Sequence, residues 1–298
     1  MENTTRQFKI LNNRGIYLNI CEGQSIENPS AILIQIHGIG GHFQFIFDNQ
    51  DLFEYKNFIF SKKSIKSYGL ELTGHGKSDG EKCSIDKYDY LIEDIRCIVI
   101  YLKNIYLDKK IFIYGESMGA GLSIIYQIKY NLIGSNVDGY ILMAPMCGIT
   151  KKIKPNLFLI NFLIFLSNIY PNLKFLDVNN NIIESSLNKD YLEARLKNKY
   201  QYNEKIRLNT ARELYYACNF LENNINSFSS PLYLFHSVDD PITSCQDSIK
   251  FFKMVKNNNK RIYLTKNSNH IFTVPKDLED KRPDEVLNKM SDFIKSLC

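Results

Sequence analysis

Tryptophan is absent from this 298-residue chain. Asn, Lys, Ile and Tyr are abundant, so the absence reads as the mark of an AT-rich coding sequence rather than a biochemical trait. The seven cysteines (Cys21, Cys83, Cys97, Cys147, Cys218, Cys245 and Cys298) include no Cys-x-x-Cys pair and are odd in number. Neither a disulfide framework nor a metal cluster is expected from them, and free thiols point to a reducing compartment. The N-terminus lacks the apolar core of a signal peptide, and Glu2 stands where N-myristoylation needs glycine. No basic stripe with interleaved aromatics accompanies the net charge of +5, so no nucleic-acid partner is expected. There is no internal repeat, and the Asn runs at 179–181 and 257–259 read as loops. A membrane-spanning helix needs about 20 apolar residues. The longest apolar run, 157–166 with an extension to Tyr170, is shorter and is interrupted by Asn161 and Asn168. The expected location is cytoplasmic, or peripheral on a membrane.

The chain is 44% hydrophobic. That is enough to bury the core of one large α/β domain, or of one domain carrying an insertion. Two strands, 8–11 and 15–20, are expected around the turn at Asn12-Asn13-Arg14-Gly15. The nearly continuous apolar run 31–36 suits a strand buried on both faces. A helix over 51–60, a strand over 65–70 and a helix over 88–106 follow. The helix face is carried by Leu91, Ile95, Ile98, Val99 and Leu102. The run 111–114 is a buried strand, and Ala120, Leu122, Ile124, Ile125 and Ile128 have helical spacing. Another buried strand spans 137–144. This alternation predicts a mostly parallel, doubly wound sheet with antiparallel N-terminal strands.

The alternation breaks between about 147 and 228, where no clear buried strand is visible. Helices are expected over 191–199 and 210–221, and the greasy run 157–166 is a lid helix or a buried one. A helical cap inserted into an α/β domain fits the block. The core is then 1–146 and 229–298, and the cap 147–228. A strand at 231–235, a helix at 245–255, a strand at 261–264 and a helix at 284–297 complete the core.

Three stretches carry chemistry. Gly115-Glu116-Ser117-Met118-Gly119 lies between a strand and a helix, which makes it a nucleophile elbow. Side chains at 115 or 119 would clash in so tight a turn, and Ser117 is expected in a strained conformation above the sheet edge. His37-Gly38-Ile39-Gly40-Gly41-His42 follows a central strand. Its backbone can approach a substrate closely, and the N–H of Ile39 can point into the site. It lacks the Gly-x-Gly-x-x-Gly and Lys-Ser/Thr features of phosphate loops. Gly74-His75-Gly76-Lys77-Ser78-Asp79-Gly80 sits at a strand's carboxyl end, where open α/β sheets bind ligands. His75 is read as structural, because acid and base follow the nucleophile in this fold.

A serine nucleophile needs a base, and the base an orienting acid. Asp239 and Asp240 compete for the acid. The usual turn is Gly-x-x-Asp, and Ser237 takes the Gly position, which selects Asp240. His270 is the base, since the other downstream histidine, His236, precedes the acid. Cys147 and Cys245 lie near this machinery, so thiol modification is expected to touch activity.

His37-Gly-Ile-Gly, Gly74-His-Gly-Lys-Ser-Asp-Gly80, Gly115-Glu-Ser-Met-Gly119, Ala144-Pro145, Val238-Asp-Asp-Pro-Ile-Thr243 and Asn269-His270 together resemble the monoacylglycerol lipase and lysophospholipase group of α/β-hydrolase serine hydrolases. The cap stretch Arg207-Leu-Asn-Thr-Ala-Arg-Glu-Leu214 is similar too. The resemblance covers the chain from about Phe8 to the C-terminus, with Glu71 where Asp is frequent and Ser237 where Gly is usual. It implies attack by Ser117 on a lipid ester, with His270 as base, Asp240 as acid, and the N–H groups of Ile39 and Met118 as oxyanion hole. It implies no cofactor, no metal and no obligate protein partner, with transient membrane-surface contact through the cap. The competing readings are a carboxylesterase, an acyl thioesterase or a proline-type aminopeptidase on the same scaffold, and a non-catalytic binder. Epoxide hydrolases and dehalogenases need Asp where Ser117 stands.

Overall fold

The structure is a computed structural model and describes residues 5–47, 50–130, 134, 136–148, 155–177, 189–266, 268, 270–274 and 280–298. Asn179–Asn181 and Asn269 lie outside the described residues.

Eight strands form one sheet: β1 (Arg6–Leu11), β2 (Tyr17–Glu22), β3 (Ala31–Ile36), β6 (Ile65–Leu70), β7 (Lys110–Glu116), β8 (Gly139–Met143), β11 (Leu232–Ser237) and β12 (Lys260–Thr265). Their order is β1-β2-β6-β3-β7-β8-β11-β12. β1 pairs antiparallel with β2, and β2 antiparallel with β6. Every later pair is parallel. Within β3, Ile32, Ile34 and Ile36 join one apolar core, while Ala31 and Leu33 join another on the opposite face. In β7, Ile111 and Ile113 divide from Phe112 and Tyr114 in the same way. Period-two alternation between two buried faces is what continuous apolar strands become when helices cover both sides.

On one face lie α1 (Leu52–Ser61) and α8 (Arg282–Leu297), which contribute Ile59, Phe60, Leu287, Met290 and Phe293. On the other lie α2 (Tyr88–Ile105) and α3 (Met118–Tyr130), with α7 (Cys245–Met254) adding Phe251. Asp51 caps α1 by accepting from the N–H groups of Phe53 and Glu54, and Ser244 caps α7. Burying one such Ile, Leu or Phe is worth roughly 1.5–3 kcal/mol, so the two sandwiched layers set the register of every loop at the carboxyl edge.

The stretch 155–227 holds α4 (Leu157–Ile169), α5 (Lys189–Lys197), α6 (Leu208–Asn224) and a 3-10 turn, Ile225–Ser227. It also holds a small antiparallel pair, β9 (Lys174–Leu176) with β10 (Ile206–Arg207). A second small pair, β4 (Ile46–Phe47) with β5 (Gln50–Asp51), follows β3. Strands of two or three residues carry too few positions to show a period, which is why neither pair is visible in the sequence.

Candidate active site

The loop after β3, the turn after β7 and the loops after β11 and β12 all open on the carboxyl edge of the sheet. In the turn after β7, Ser117 has φ 54°, a conformation that costs a non-glycine residue free energy and persists only where surroundings enforce it. They do so here through backbone bonds. The Ser117 N–H donates to the Met143 carbonyl at 2.9 Å, and its own carbonyl accepts from Gly121 and Met146, both at 3.1 Å. The flanking glycines are required by space. A Cβ at 119 would lie 2.5 Å from the carbonyl oxygens of Ile36 and His37, and one at 115 would lie 2.6 Å from the Ala120 Cα.

Asp240 follows β11 and is buried, while Asp239 beside it is exposed. The Asp240 carboxylate accepts from the N–H groups of Ile242 (2.8 Å) and Thr243 (3.1 Å) and from the Thr243 hydroxyl (2.9 Å). His270 Nδ1 lies 2.6 Å from Asp240 Oδ2. Burial alone pushes the Asp240 carboxyl up, but the charge of His270 and the hydrogen bonds from His236 and His270 outweigh it and hold the group well below the usual carboxylate range. An ionised carboxylate can only accept, so Nδ1–H is the donor to Asp240, and Nε2 is left to other partners. That Nε2 is buried and has no hydrogen-bond partner among the described residues. An orphaned buried nitrogen of this kind calls for an explanation, and a proton-accepting role supplies one.

The sequence gives no hint that Asp240 has a second imidazole. His236, fully buried at the end of β11, places Nε2 3.2 Å from Asp240 Oδ2 and Nδ1 2.9 Å from the Ser248 hydroxyl. The tight turn that bonds the Asp240 N–H to the Ser237 carbonyl at 3.3 Å brings the two side chains together. Ser237, in the position expected to be glycine, is buried with no hydrogen-bond partner for its hydroxyl among the described residues.

Ile39 lies in the loop after β3, and Met118 begins α3. Among the described residues neither backbone N–H donates to a backbone carbonyl. The loop is held from beneath. His37 Nδ1 sits 2.7 Å from the Gly38 carbonyl, and its Nε2 accepts from the Leu72 N–H at 3.1 Å. Both roles are filled only in the neutral ring. Burial drives the His37 pKa well down, with the neighbouring His75 adding to the shift. Glu71 ties the same loops together by accepting from the N–H groups of Phe43 (2.9 Å) and Lys77 (2.7 Å) and from Asn19 (2.9 Å). His75 is buried with Nδ1 3.0 Å from the Thr73 carbonyl.

Ser117, His270, Ile39 and Met118 line one cavity of about 450 Å³. Its walls are largely apolar, with Phe43, Phe45 and Phe53 from the core side and Ile160, Leu163, Ile164, Leu208 and Leu214 from α4 and α6. A second polar group reaches the wall. Glu116 accepts from Lys56 and from the Tyr114 hydroxyl, each at 2.6 Å. Burial raises its pKa, but the Lys56 charge more than reverses this, so the pair is an internally neutralised one. Cys147 and Cys245 are buried, and burial pushes both thiols up, which makes neither a reactive thiolate. Among the described residues no His/Cys/Asp/Glu group could hold a metal ion.

Fold and site together define an α/β-hydrolase of the serine, ester-cleaving class. The chain belongs to the family described as serine aminopeptidase, S33, whose model matches residues 27–276. It is similar to a monoglyceride lipase homolog of Monkeypox virus, 25% identical over 254 residues that cover 82% of this chain and 83% of that one. It is also similar to caffeoylshikimate esterase of Arabidopsis thaliana, 22% identical over 269 residues covering 87% and 75%. Among solved structures, a soluble variant of the Saccharomyces cerevisiae monoglyceride lipase, in complex with a substrate analog, matches with a TM-score of 0.81 and 16% identity over 100% of this chain and 96% of that one. At that identity the match speaks for the fold. Within the fold, these likenesses put the chain in the monoacylglycerol lipase-like group.

Proposed function

We propose that the protein hydrolyses carboxylic esters of lipids, monoacylglycerols or lysophospholipids, through Ser117, His270 and Asp240. The observation that carries this reading is the orphaned Nε2 of His270, a residue that lines the same apolar-walled cavity as Ser117. Ser117 Oγ attacks the ester carbonyl while His270 Nε2 takes its proton. Asp240 holds the ring in the productive tautomer and stabilises its cation. The N–H groups of Met118 and Ile39 receive the oxyanion, each such donor being worth about 10²–10³ in rate. His270 then protonates the leaving alcohol, and water cleaves the acyl-enzyme by the reverse sequence.

The block 147–228 acts in this reading as a cap. Asn156 caps α4, and of that helix's thirteen residues only Ser167 is fully buried. Ile160, Leu163 and Ile164 turn to the cavity, while Phe158, Phe162, Phe165 and Ile169 form an exposed stripe. No described helix is long and apolar enough to cross a membrane. A short helix, greasy on both sides, lies on a lipid surface and passes the chain inward.

A fluorophosphonate ester probe tests the nucleophile: labelling occurs in the wild type and vanishes in Ser117→Ala. Undiminished labelling removes the serine assignment. Rates on monoacylglycerol, lysophosphatidylcholine, short p-nitrophenyl esters, an acyl thioester and a proline anilide then rank the readings. The family description keeps the peptide reading in view, and the greasy walls favour acyl chains over it.

A further inference from the structure

Three long cationic side chains reach the wall of the cavity, Lys56, Arg195 and Arg212. Two are committed. Lys56 pairs with Glu116 at 2.6 Å. Arg212 bonds Glu213 at 3.2 Å, Ser167 at 3.2 Å and Asn168 at 3.0 Å. Arg195, in the last turn of α5, has neither an ion pair nor a side-chain hydrogen bond among the described residues. Asp177 lines the same cavity and is not within ion-pair distance of it. Burial depresses the Arg195 pKa, and the Tyr191 phenol one turn earlier opposes that without reversing it. A guanidinium stays charged in proteins, and a largely dehydrated charge without a counter-charge is unfavourable. Buried charges are ordinarily paired.

The position of Arg195 is fixed by contacts around it. Tyr191 packs edge-on against Phe45, with ring centroids 5.1 Å apart. Asn198 donates to the Gln44 carbonyl at 2.7 Å, and Gln201 to the Gly40 carbonyl at 2.9 Å. These contacts pin α5 and the turn after it onto the loop that carries Ile39. The charge is felt there: burial lowers the His42 pKa to about 4, with Arg195 the next largest cause. The apolar wall from α4 and α6 lacks any comparable free charge among the described residues.

We propose that Arg195 receives an anionic oxygen group, phosphate or carboxylate, on the head group of the ester that Ser117 cleaves. The proposal rests on the ester-hydrolase reading above and narrows it to acidic esters. The planar fork of arginine matches two oxygens of such a group, and the half-dry wall strengthens each hydrogen bond. The acyl chain then lies along the α4 and α6 wall, and a neutral glycerol head leaves the cation unmet.

The test compares three esters of the same lauroyl chain in the same detergent micelles: monolauroylglycerol, its 3-phosphate, and lauroyl glycerate, which bears a carboxylate. In the wild type the anionic esters are cleaved with kcat/KM about tenfold or more above the neutral one. Arg195→Met lowers the anionic rates by about ten- to a hundredfold and leaves the neutral rate within about threefold, while Arg195→Lys retains part of the preference. The ratio of phosphate to carboxylate ester identifies the source of the anion. Equal wild-type rates on all three, or an equal fall on all three in Arg195→Met, overturns the proposal. Calorimetry with dodecyl phosphate and the neutral dodecyl glycerol ether reads the same contact without turnover. Phosphate-selective binding lost in Arg195→Met supports it, and equal binding of the two probes overturns it. Failure of the esterase reading shows separately, as absent labelling of Ser117 in a protein that still binds dodecyl phosphate.

Discussion

β7 and α4 each carry a greasy run, and the fold uses them oppositely. In β7, residues 111–115 are all buried, and each apolar side chain meets a helix on one face of the sheet or the other. In α4, Phe158 is 83% exposed and Phe165 61%. The β7 run stabilises the fold and sets Ser117 in place. The α4 run does little for the fold and stays unpaid for until something apolar covers it. On the proposed reading, chemistry is built where packing is dense, and selection of the substrate where packing is left open. Substitutions at the sheet edge should therefore slow every ester alike, and substitutions in 155–228 should alter which ester is preferred.

The largest expected break of that division is at the acid. Asp240→Asn leaves the fold intact and drops kcat by about 10⁴ on every ester, because the amide no longer enforces the His270 tautomer. His236→Gln tests the second imidazole. It should cost about tenfold in kcat with KM unchanged, the size of one hydrogen bond to a charged group at about 1.5 kcal/mol. A rise in KM alone, or a loss confined to lipid esters, would put His236 on the selective side of the comparison instead.

Acid should also strike the core and spare the cap, since all five histidines lie outside 147–228. The unfolded chain takes up protons near the ordinary imidazole pKa, about 6.5. In the fold, burial holds His37, His42 and His75 lower. Between those values the unfolded state binds more protons, so stability is full above about pH 6.5 and falls as pH drops below it. Thermal unfolding followed from pH 7.5 to 5 should show Tm falling by several degrees, less so in His42→Gln. A flat profile would mean that the loops after β3 and β6 do not depend on neutral rings.

How much of this was legible beforehand follows the same line. The bounds of β3 are those read from the apolar run 31–36, because a strand buried on both faces shows itself at every position, and β6 spans the 65–70 read as a strand although Lys66, Ser67 and Gly69 interrupt its apolar residues. The elbow was readable from two glycines whose Cβ atoms have no room. Asp240 rather than Asp239 followed from turn spacing. Pairings across long separations were not readable: Lys56 with Glu116 lies sixty residues apart, and the isolation of Arg195 is a property of the folded wall. A charge in the sequence carries no record of whether a partner will reach it. The stripe on α4 was visible as greasiness, but which residues face the cavity and which face out depended on how the helix is seated.

The smallest expected effect is the one that defines the cap. Phe158 and Phe165 are seven residues apart on the exposed face of α4, two turns along one stripe. Replacing both by Ser removes apolar area that touches neither the core nor the cavity lining, so the fold should lose little, within about 0.5 kcal/mol. On a short soluble p-nitrophenyl ester the double variant should match the wild type. On monoacylglycerol presented in vesicles, the rate should fall by about three- to tenfold, since each Phe withdrawn from the interface gives up part of roughly 1.5–3 kcal/mol. Co-sedimentation with the same vesicles should weaken in parallel. An equal loss on both substrates would mean that the stripe supports the cavity rather than the surface, and α4 would then belong with β7. An unchanged vesicle rate would leave the outer face without a lipid role and confine selection to the inner face, where Ile160, Leu163 and Ile164 line the cavity.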